Sequence, residues 1–149
     1  MGAPTRRLSI AAGSLTVGGF FLGAAAIFHF LAASHLPAVL KEVLNAKQYA
    51  FLQPIVSFTF LLNGVLLLPL SFSTLYSAAG VRRGERWAWW ICFANAGTVI
   101  VLPGLLLATM GLGYFSAPLF LAGAVSITVA GLLMMLPLLW ARRDIERPS

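Results

Sequence analysis

Residues 87–141, WAWWICFANAGTVIVLPGLLLATMGLGYFSAPLFLAGAVSITVAGLLMMLPLLWA, contain no Asp, Glu, Lys or Arg over 55 consecutive positions. As one helix they would extend roughly 80 Å at about 1.5 Å per residue, whereas the hydrocarbon core of a bilayer is about 30 Å thick. The stretch therefore predicts two membrane-spanning helices, at residues 87–110 and 119–141, joined by a short turn at residues 111–118.

Two further charge-free windows precede this hairpin, at residues 8–40 and 48–81. Each is long enough for one crossing, and we place these spans at residues 8–33 and 54–79. The chain is 60% hydrophobic and 9% charged, which is typical of a membrane protein and leaves no segment for a separate soluble domain. The sequence thus predicts an all-α membrane protein, a four-transmembrane-helix bundle in a single integral membrane domain over residues 1–149.

Residues 36–50, between the first and second spans, predict an amphipathic outer helix. Their apolar side chains recur at helical spacing, at Leu36, Val39, Leu40, Val43 and Leu44. Pro37 suits the first turn of such a helix. The opposite face carries Lys41, Glu42, Asn45 and Gln48. We expect this helix to lie flat on the outer membrane surface or over the mouth of the bundle.

The basic residues predict the orientation of the chain. Eight of the ten lie where a four-span topology with both termini inside places cytoplasmic segments: Arg6, Arg7, Arg82, Arg83, Arg86, Arg142, Arg143 and Arg147. The net charge of +6 therefore marks topology, and we expect the lipid bilayer rather than nucleic acid as the partner. An anionic-lipid site at these arginines is the alternative. Trp87, Trp89, Trp90 and Trp140 lie at the same ends and predict an aromatic belt at the headgroups.

The first span is rich in small residues. Gly19 and Gly23 form a GxxxG pair, a spacing that lets two helix backbones approach closely. Such a face packs either inside the bundle or against a second chain, and both alternatives stay open. The apolar run at residues 8–33 is longer than the roughly 7 to 15 residues of a signal-peptide core, so we expect it to be retained as a span.

Charged residues are missing from all four predicted spans, which argues against transporters that depend on an intramembrane charge. His29 and His35, the only histidines, lie near the outer end of the first span. Six residues of helix turn them to different faces, so the pair does not suit haem or a metal ion. We expect interfacial hydrogen bonding, with recognition of a headgroup, a quinone ring or a metal ion as alternatives.

Asn63 and Asn95 are the only amides deep in the spans, and each precedes a proline on its own helix, Pro69 and Pro103. Each proline frees a backbone carbonyl four residues earlier. We expect the amides to donate to such carbonyls or to each other's helices. The alternative is a polar pocket between kinked helices for a lipid, a quinone or another small amphiphile.

The loop RRGERWAWW at residues 82–90, preceded by LYSAAG at residues 75–80, resembles the loop of many small uncharacterised bacterial four-span membrane proteins, DoxX-like in size. The resemblance implies a four-helix protein of the bacterial inner membrane with no assigned chemistry. It carries no functional residue over to this chain.

The sequence points to no catalytic residue, cofactor or metal ligand, and no acid–base or nucleophile pair is visible, so an enzyme is the least favoured hypothesis. We expect a non-enzymatic accessory or interaction subunit, either as a homo-oligomer or with a membrane-protein partner. The alternative is a binder or carrier of a small apolar molecule, a lipid or a quinone, in a cleft near Asn63, Asn95 and the outer histidines.

Overall fold

The computed structural model describes residues 5–112 and 118–146, and these ranges contain four α-helices and no strand. The helices are α1 (Arg6–Val43), α2 (Ala46–Arg82), α3 (Arg86–Met110) and α4 (Pro118–Glu146). Each is long and apolar enough to cross a membrane. The predicted fold class, an all-α membrane protein with four spanning helices, is confirmed. The predicted turn at residues 111–118 lies largely outside the described residues.

The structure corrects one part of the prediction, because residues 36–50 do not form a separate outer helix. α1 continues through Pro37 to its end, and α2 begins at Ala46. The break falls there because Asn45 and Gln48 form a capping box. The Gln48 N–H donates to Asn45 Oδ1 at 3.0 Å, and the Asn45 N–H donates to Gln48 Oε1 at 3.3 Å. Asn45, predicted on the polar face of one helix, instead begins the next.

α1 and α2 are longer than the predicted spans. They contain 38 and 37 residues, or roughly 57 and 56 Å, compared with about 40–45 Å for a bilayer with its headgroups. They therefore tilt in the membrane or project beyond it. Near the end of α1, Leu36 and Leu40 are half-buried, whereas Val39, Lys41 and Glu42 are exposed. The side chain predicted apolar at position 43 lies outside the described part.

The chain forms two compact units. Unit 1 consists of Met1–Gly19 and Ser73–Ser149, and unit 2 of Phe20–Phe72. Unit 1 thus holds the first part of α1, the last part of α2 and all of α3 and α4, whereas unit 2 holds the rest of α1 and α2. The expectation of one integral domain stays a prediction.

Within unit 1, the four helical segments form a bundle in which several glycines lie directly against a neighbouring helix. These are Gly18 of α1 against Met134 of α4, Gly19 of α1 against Leu75 of α2, Gly80 of α2 against Ala88 of α3, and Gly131 of α4 against Ile100 of α3. A Cβ at Gly80 would lie 2.5 Å from the Ala88 Cβ. Small residues let helix backbones approach, which is a main source of helix association in a membrane.

The turn between α2 and α3 is a Schellman motif. The Glu85 N–H donates to the Gly80 carbonyl and the Gly84 N–H to the Val81 carbonyl, both at 3.0 Å. Gly84 has φ of +77°, a left-handed conformation that a glycine adopts without steric cost. The turn therefore fixes Arg82 as the last residue of α2.

The tryptophans do not all form the predicted aromatic belt. Trp87, Trp90 and Trp140 are exposed, but Trp89 is only 5% exposed. Its indole N–H donates to the carbonyl of Leu138 on α4 at 3.0 Å. Trp89 lies two residues from Trp87, which turns it to the opposite face of α3. It is therefore a core residue that joins α3 to α4.

Candidate functional site

Asn95 joins two helices of unit 1. Its side chain is 9% exposed, and Nδ2 donates to Ser73 Oγ at 2.8 Å and to Thr74 Oγ1 at 3.0 Å. Both acceptors lie on α2, so Asn95 bonds to the helix that carries Asn63 and not to the carbonyl freed by Pro103. This is one of the two hydrogen-bonding arrangements expected from the sequence. The amide is therefore used in helix packing.

The other three predicted ligand-binding residues lie in unit 2. Asn63 is half-buried, and its side chain forms no hydrogen bond with the residues that the structure describes. His29 Nδ1 lies 2.8 Å from the Ala25 carbonyl, and because a carbonyl only accepts, this nitrogen carries the proton. The His29 ring also packs against Phe60 with centroids 5.5 Å apart. His35 is exposed.

The GxxxG glycines both face α2 of the same chain. In unit 1, a Cβ at Gly19 would lie 2.7 Å from Leu75 Cγ. In unit 2, a Cβ at Gly23 would lie 3.0 Å from Ser71 Oγ. Within each unit the glycine thus borders a helix of its own chain.

A groove of about 340 Å³ lies between α1 and α2 in unit 1. The residues that line it from α1 have the spacing i, i+3, i+4, i+7 and are Ser9, Ala12, Gly13 and Thr16. Those from α2 have the same spacing and are Leu75, Ala78, Ala79 and Arg82. This spacing places each set on one face of its helix. The volume lies at the lower end of the range of small-molecule sites.

The two helices run antiparallel along this groove. A Cβ at Gly84, just after α2, would lie 3.8 Å from Leu8 Cδ1, whereas farther along α1 it is Gly19 that approaches Leu75. Ser9 and Arg82 therefore lie at one end of the groove, and Thr16 lies toward the other. Seven residues of helix separate Ser9 from Thr16, which is about 10 Å.

The groove is polar at its mouth and apolar along its length. Ser9 and Arg82 contribute a hydroxyl and a guanidinium group at one end, and the alanines, Gly13, Leu75 and Thr16 line the remainder. The hydroxyl of Thr16 already donates to the Ala12 carbonyl at 2.9 Å, so its proton is not available to a ligand. A molecule that fits this groove has a polar group at one end and an apolar chain.

Arg82 is the charged residue of the groove, and its guanidinium forms no ion pair with the described residues. The next arginine is paired: Arg83 Nε lies 2.6 Å from Glu85 Oε1. The hydrogen bond from Arg83 lowers the pKa of Glu85, and the same bond raises the pKa of Arg83. This pair therefore stays ionised at neutral pH, and within the described part of the chain Glu85 is not a counter-ion of Arg82.

The groove offers groups that bind rather than react. Its eight lining side chains supply hydroxyl, aliphatic and guanidinium groups, and none of them is a carboxylate, an imidazole or a thiol. A general base is therefore missing from the lining itself. Within residues 5–112 and 118–146, no three His, Cys, Asp or Glu side chains are placed to hold a metal ion.

The groove is not the binding site that the sequence predicts. Neither Asn63 nor Asn95 lines it, and neither do His29 and His35. The sequence held a partial signal, because small residues recur at i, i+3, i+4 and i+7 from Ser9 to Thr16, and two alanines lie at helical spacing between Leu75 and Arg82. Sequence alone does not show that these two segments face each other.

Comparison of the chain with protein-family models, with curated proteins and with solved structures found no match. The DoxX-like resemblance of residues 82–90 therefore stays a prediction.

Proposed function

We propose that this protein is a non-enzymatic membrane protein that binds a small amphiphilic molecule in the groove between α1 and α2. The polarity of the groove carries the proposal, because Arg82 and Ser9 lie at its mouth and mainly aliphatic residues line the rest. A membrane lipid has the same layout, with a polar headgroup at one end of an apolar chain. From the sequence, a binder of a small apolar molecule is the alternative hypothesis. The proposal adopts that hypothesis but places the binding site between α1 and α2.

We place the mouth of the groove at the cytoplasmic surface of a bacterial inner membrane. The support is the positive-inside bias of the arginines near both termini and in the α2–α3 turn. Reporter fusions at Gly84 and after Ser149 should then report the cytoplasm, and fusions at Asn45 the opposite compartment. The inverse pattern would contradict this orientation. A corresponding fusion near Ser116 lies outside the described residues.

The layout of the groove suits a chain-like ligand. One face of α1 and one face of α2 line it over about two helical turns. A single acyl or isoprenoid chain can lie along these faces. The accessory-subunit hypothesis, with a partner protein or a second copy docked here, is the competing proposal.

Native mass spectrometry of the detergent-purified protein tests the proposal. The wild-type chain should retain one amphiphile per protein. Gly13 lines the groove and a Cβ there meets no atom within 4 Å, so we expect the side chain of Gly13→Leu to occupy the groove and abolish retention. Gly104→Leu is the matched control, because a Cβ there also meets open space and Gly104 does not line the groove.

Retention by Gly104→Leu together with loss in Gly13→Leu would support the binder. Equal retention by both variants would contradict it. If Gly13→Leu instead releases a stoichiometric protein partner, the accessory-subunit hypothesis replaces the binder. Equal melting temperatures of the two variants exclude misfolding as the cause.

A further inference from the structure

We infer that the molecule in this groove is an anionic phospholipid and that Arg82 binds its phosphate group. The inference rests on the proposed function, because it assigns the headgroup of the molecule that occupies the same groove. It makes Arg82 a ligand-binding residue and not only a marker of topology.

The apolar part of the groove cannot select a ligand by hydrophobicity alone. A lipid chain that enters it leaves a bilayer that is as apolar as Leu75 or the alanines, so no apolar surface is removed from water. The chain gains only packing contacts there. Selectivity must therefore come from the polar mouth, where Arg82 carries the charge.

The acidic residues of unit 1 are engaged elsewhere. Arg83 pairs with Glu85, and Arg142 Nε lies 2.6 Å from Glu146 Oε1. The third, Asp144, accepts a hydrogen bond from the Thr5 hydroxyl at 2.6 Å. None of the three forms an ion pair with Arg82 among the described residues, so the groove has a cation without a protein counter-ion. A phosphate group would supply that counter-ion.

The position of Arg82 suits a headgroup. It is the last residue of α2, where the Schellman turn holds the backbone, and it is exposed. A guanidinium can donate two parallel hydrogen bonds to a phosphate. Ser9 lies on α1 at the same end of the groove, and its hydroxyl can donate a third. Basic pockets between transmembrane helices are known to bind anionic headgroups.

Lipid competition measured by native mass spectrometry tests this assignment. The protein is exchanged into mixed micelles with equal amounts of phosphatidylglycerol and phosphatidylcholine, and the ratio of bound lipids is recorded. The wild-type chain should prefer phosphatidylglycerol. Arg82→Gln should lower that preference about fivefold, while total lipid retention persists. Arg82→Lys should keep most of the preference, because it keeps the charge.

Arg143→Gln is the matched control. Arg143 is exposed, has no ion pair with the described residues and does not line the groove. The change removes the same charge from the same unit and should alter the ratio less than about twofold if binding is local. An equal effect of Arg143→Gln and Arg82→Gln would overturn the assignment, because a general positive potential would then explain the preference.

Two further outcomes separate the inference from the proposed function. Retention of both lipids without preference by the wild-type chain would refute the phosphate assignment but leave the amphiphile binder intact. Failure of Gly13→Leu to release any lipid would refute the binder itself. Displacement of phosphatidylglycerol by millimolar inorganic phosphate would show an anion site that does not need the lipid chain, and would also overturn the inference.

Discussion

Unit 1 and unit 2 differ in the way their helices are held. In unit 1, side chains bond from one helix to another, as Asn95 does to α2 and Trp89 to α4. In unit 2, the Thr59 hydroxyl donates to the Ile55 carbonyl of its own helix at 2.8 Å, and His29 bonds to its own helix in the same way. Both units expose large apolar side chains, and the exposed phenylalanines among the described residues lie in unit 2, for example Phe20, Phe28 and Phe58.

This difference shows where a membrane protein obtains its stability. Lipid tails are as apolar as leucine, so helices associate through close packing of small residues and through interhelical hydrogen bonds. Among the described residues, unit 1 shows both kinds of contact, in the hydrogen bonds of Asn95 and Trp89 and in the close approach at Gly80. We therefore expect substitutions in unit 1 to change the free energy of unfolding more than equivalent substitutions in unit 2.

The largest effect is expected for Gly80→Ala. Its Cβ would lie 2.5 Å from the Ala88 Cβ, so the helices must separate, and we expect a loss of about 1–3 kcal/mol. In unit 2, a Cβ at Gly64 would lie 3.0 Å from the Phe30 ring, which can rotate, so Gly64→Ala should cost less. Unfolding titrations in mixed micelles measure these changes.

Gly97→Ala is the control for this pair. Its Cβ would meet only Met135 Cε at 3.9 Å, an ordinary contact. Alanine is the better helix former by roughly 1 kcal/mol, so this variant should be neutral or more stable. A destabilisation of Gly64→Ala equal to that of Gly80→Ala would break the contrast between the two units.

The next largest change in the free energy of unfolding is expected when the two amide side chains are replaced. Asn95→Leu removes two hydrogen bonds to α2 and should cost about 0.6–2 kcal/mol, the range for interhelical hydrogen bonds in membranes. Asn63→Leu removes no side-chain hydrogen bond to the described residues and should cost less than about 0.5 kcal/mol. The same unfolding titration compares them. Equal losses would mean that Asn63 has a structural role like that of Asn95.

A smaller effect is expected at the start of α2 in unit 2. Asn45→Ala removes the cap of the Gln48 N–H and should cost about 0.5–1 kcal/mol. The loss should be local, so amide hydrogen exchange should increase in the first turn of α2 and stay unchanged in α3. Asn45→Ser, which can still cap, should restore protection. Faster exchange throughout α3 would contradict the separation of the units.

The smallest effect is the pH dependence of the α2–α3 turn. The hydrogen bond from Arg83 lowers the pKa of Glu85. The ion pair therefore stabilises the turn above the ordinary glutamate pKa of about 4.3, and this contribution is lost as the pH falls through the lowered pKa. Titration of the Glu85 carboxyl by NMR should give a higher pKa in Arg83→Gln. Arg142→Gln, which breaks the other pair, should leave it unchanged.

Much of the fold follows from the sequence, because the charge of a segment and the length of its uncharged run can be read from that segment alone. The 55 uncharged residues after Arg86 cannot lie in a bilayer as one rod, so two helices were predictable there, and α3 begins within one residue of the prediction. The boundary between α1 and α2 was not predictable in the same way. A helical periodicity continued across residues 36–50, whereas the reciprocal bonds of Asn45 and Gln48 decided where one helix ends.

The candidate site, like the boundary between α1 and α2, could be predicted from the sequence only in part. By itself, the sequence determined that four helices cross a membrane, that arginines gather beside their ends, and that the first span is rich in small residues. Only the tertiary structure decided that one face of α1 and one face of α2 line a groove, that Trp89 is a core residue, and that Arg83 pairs with Glu85 while Arg82 has no ion pair among the described residues. Hydropathy and charge act on each segment separately, whereas a groove depends on which helix faces are paired.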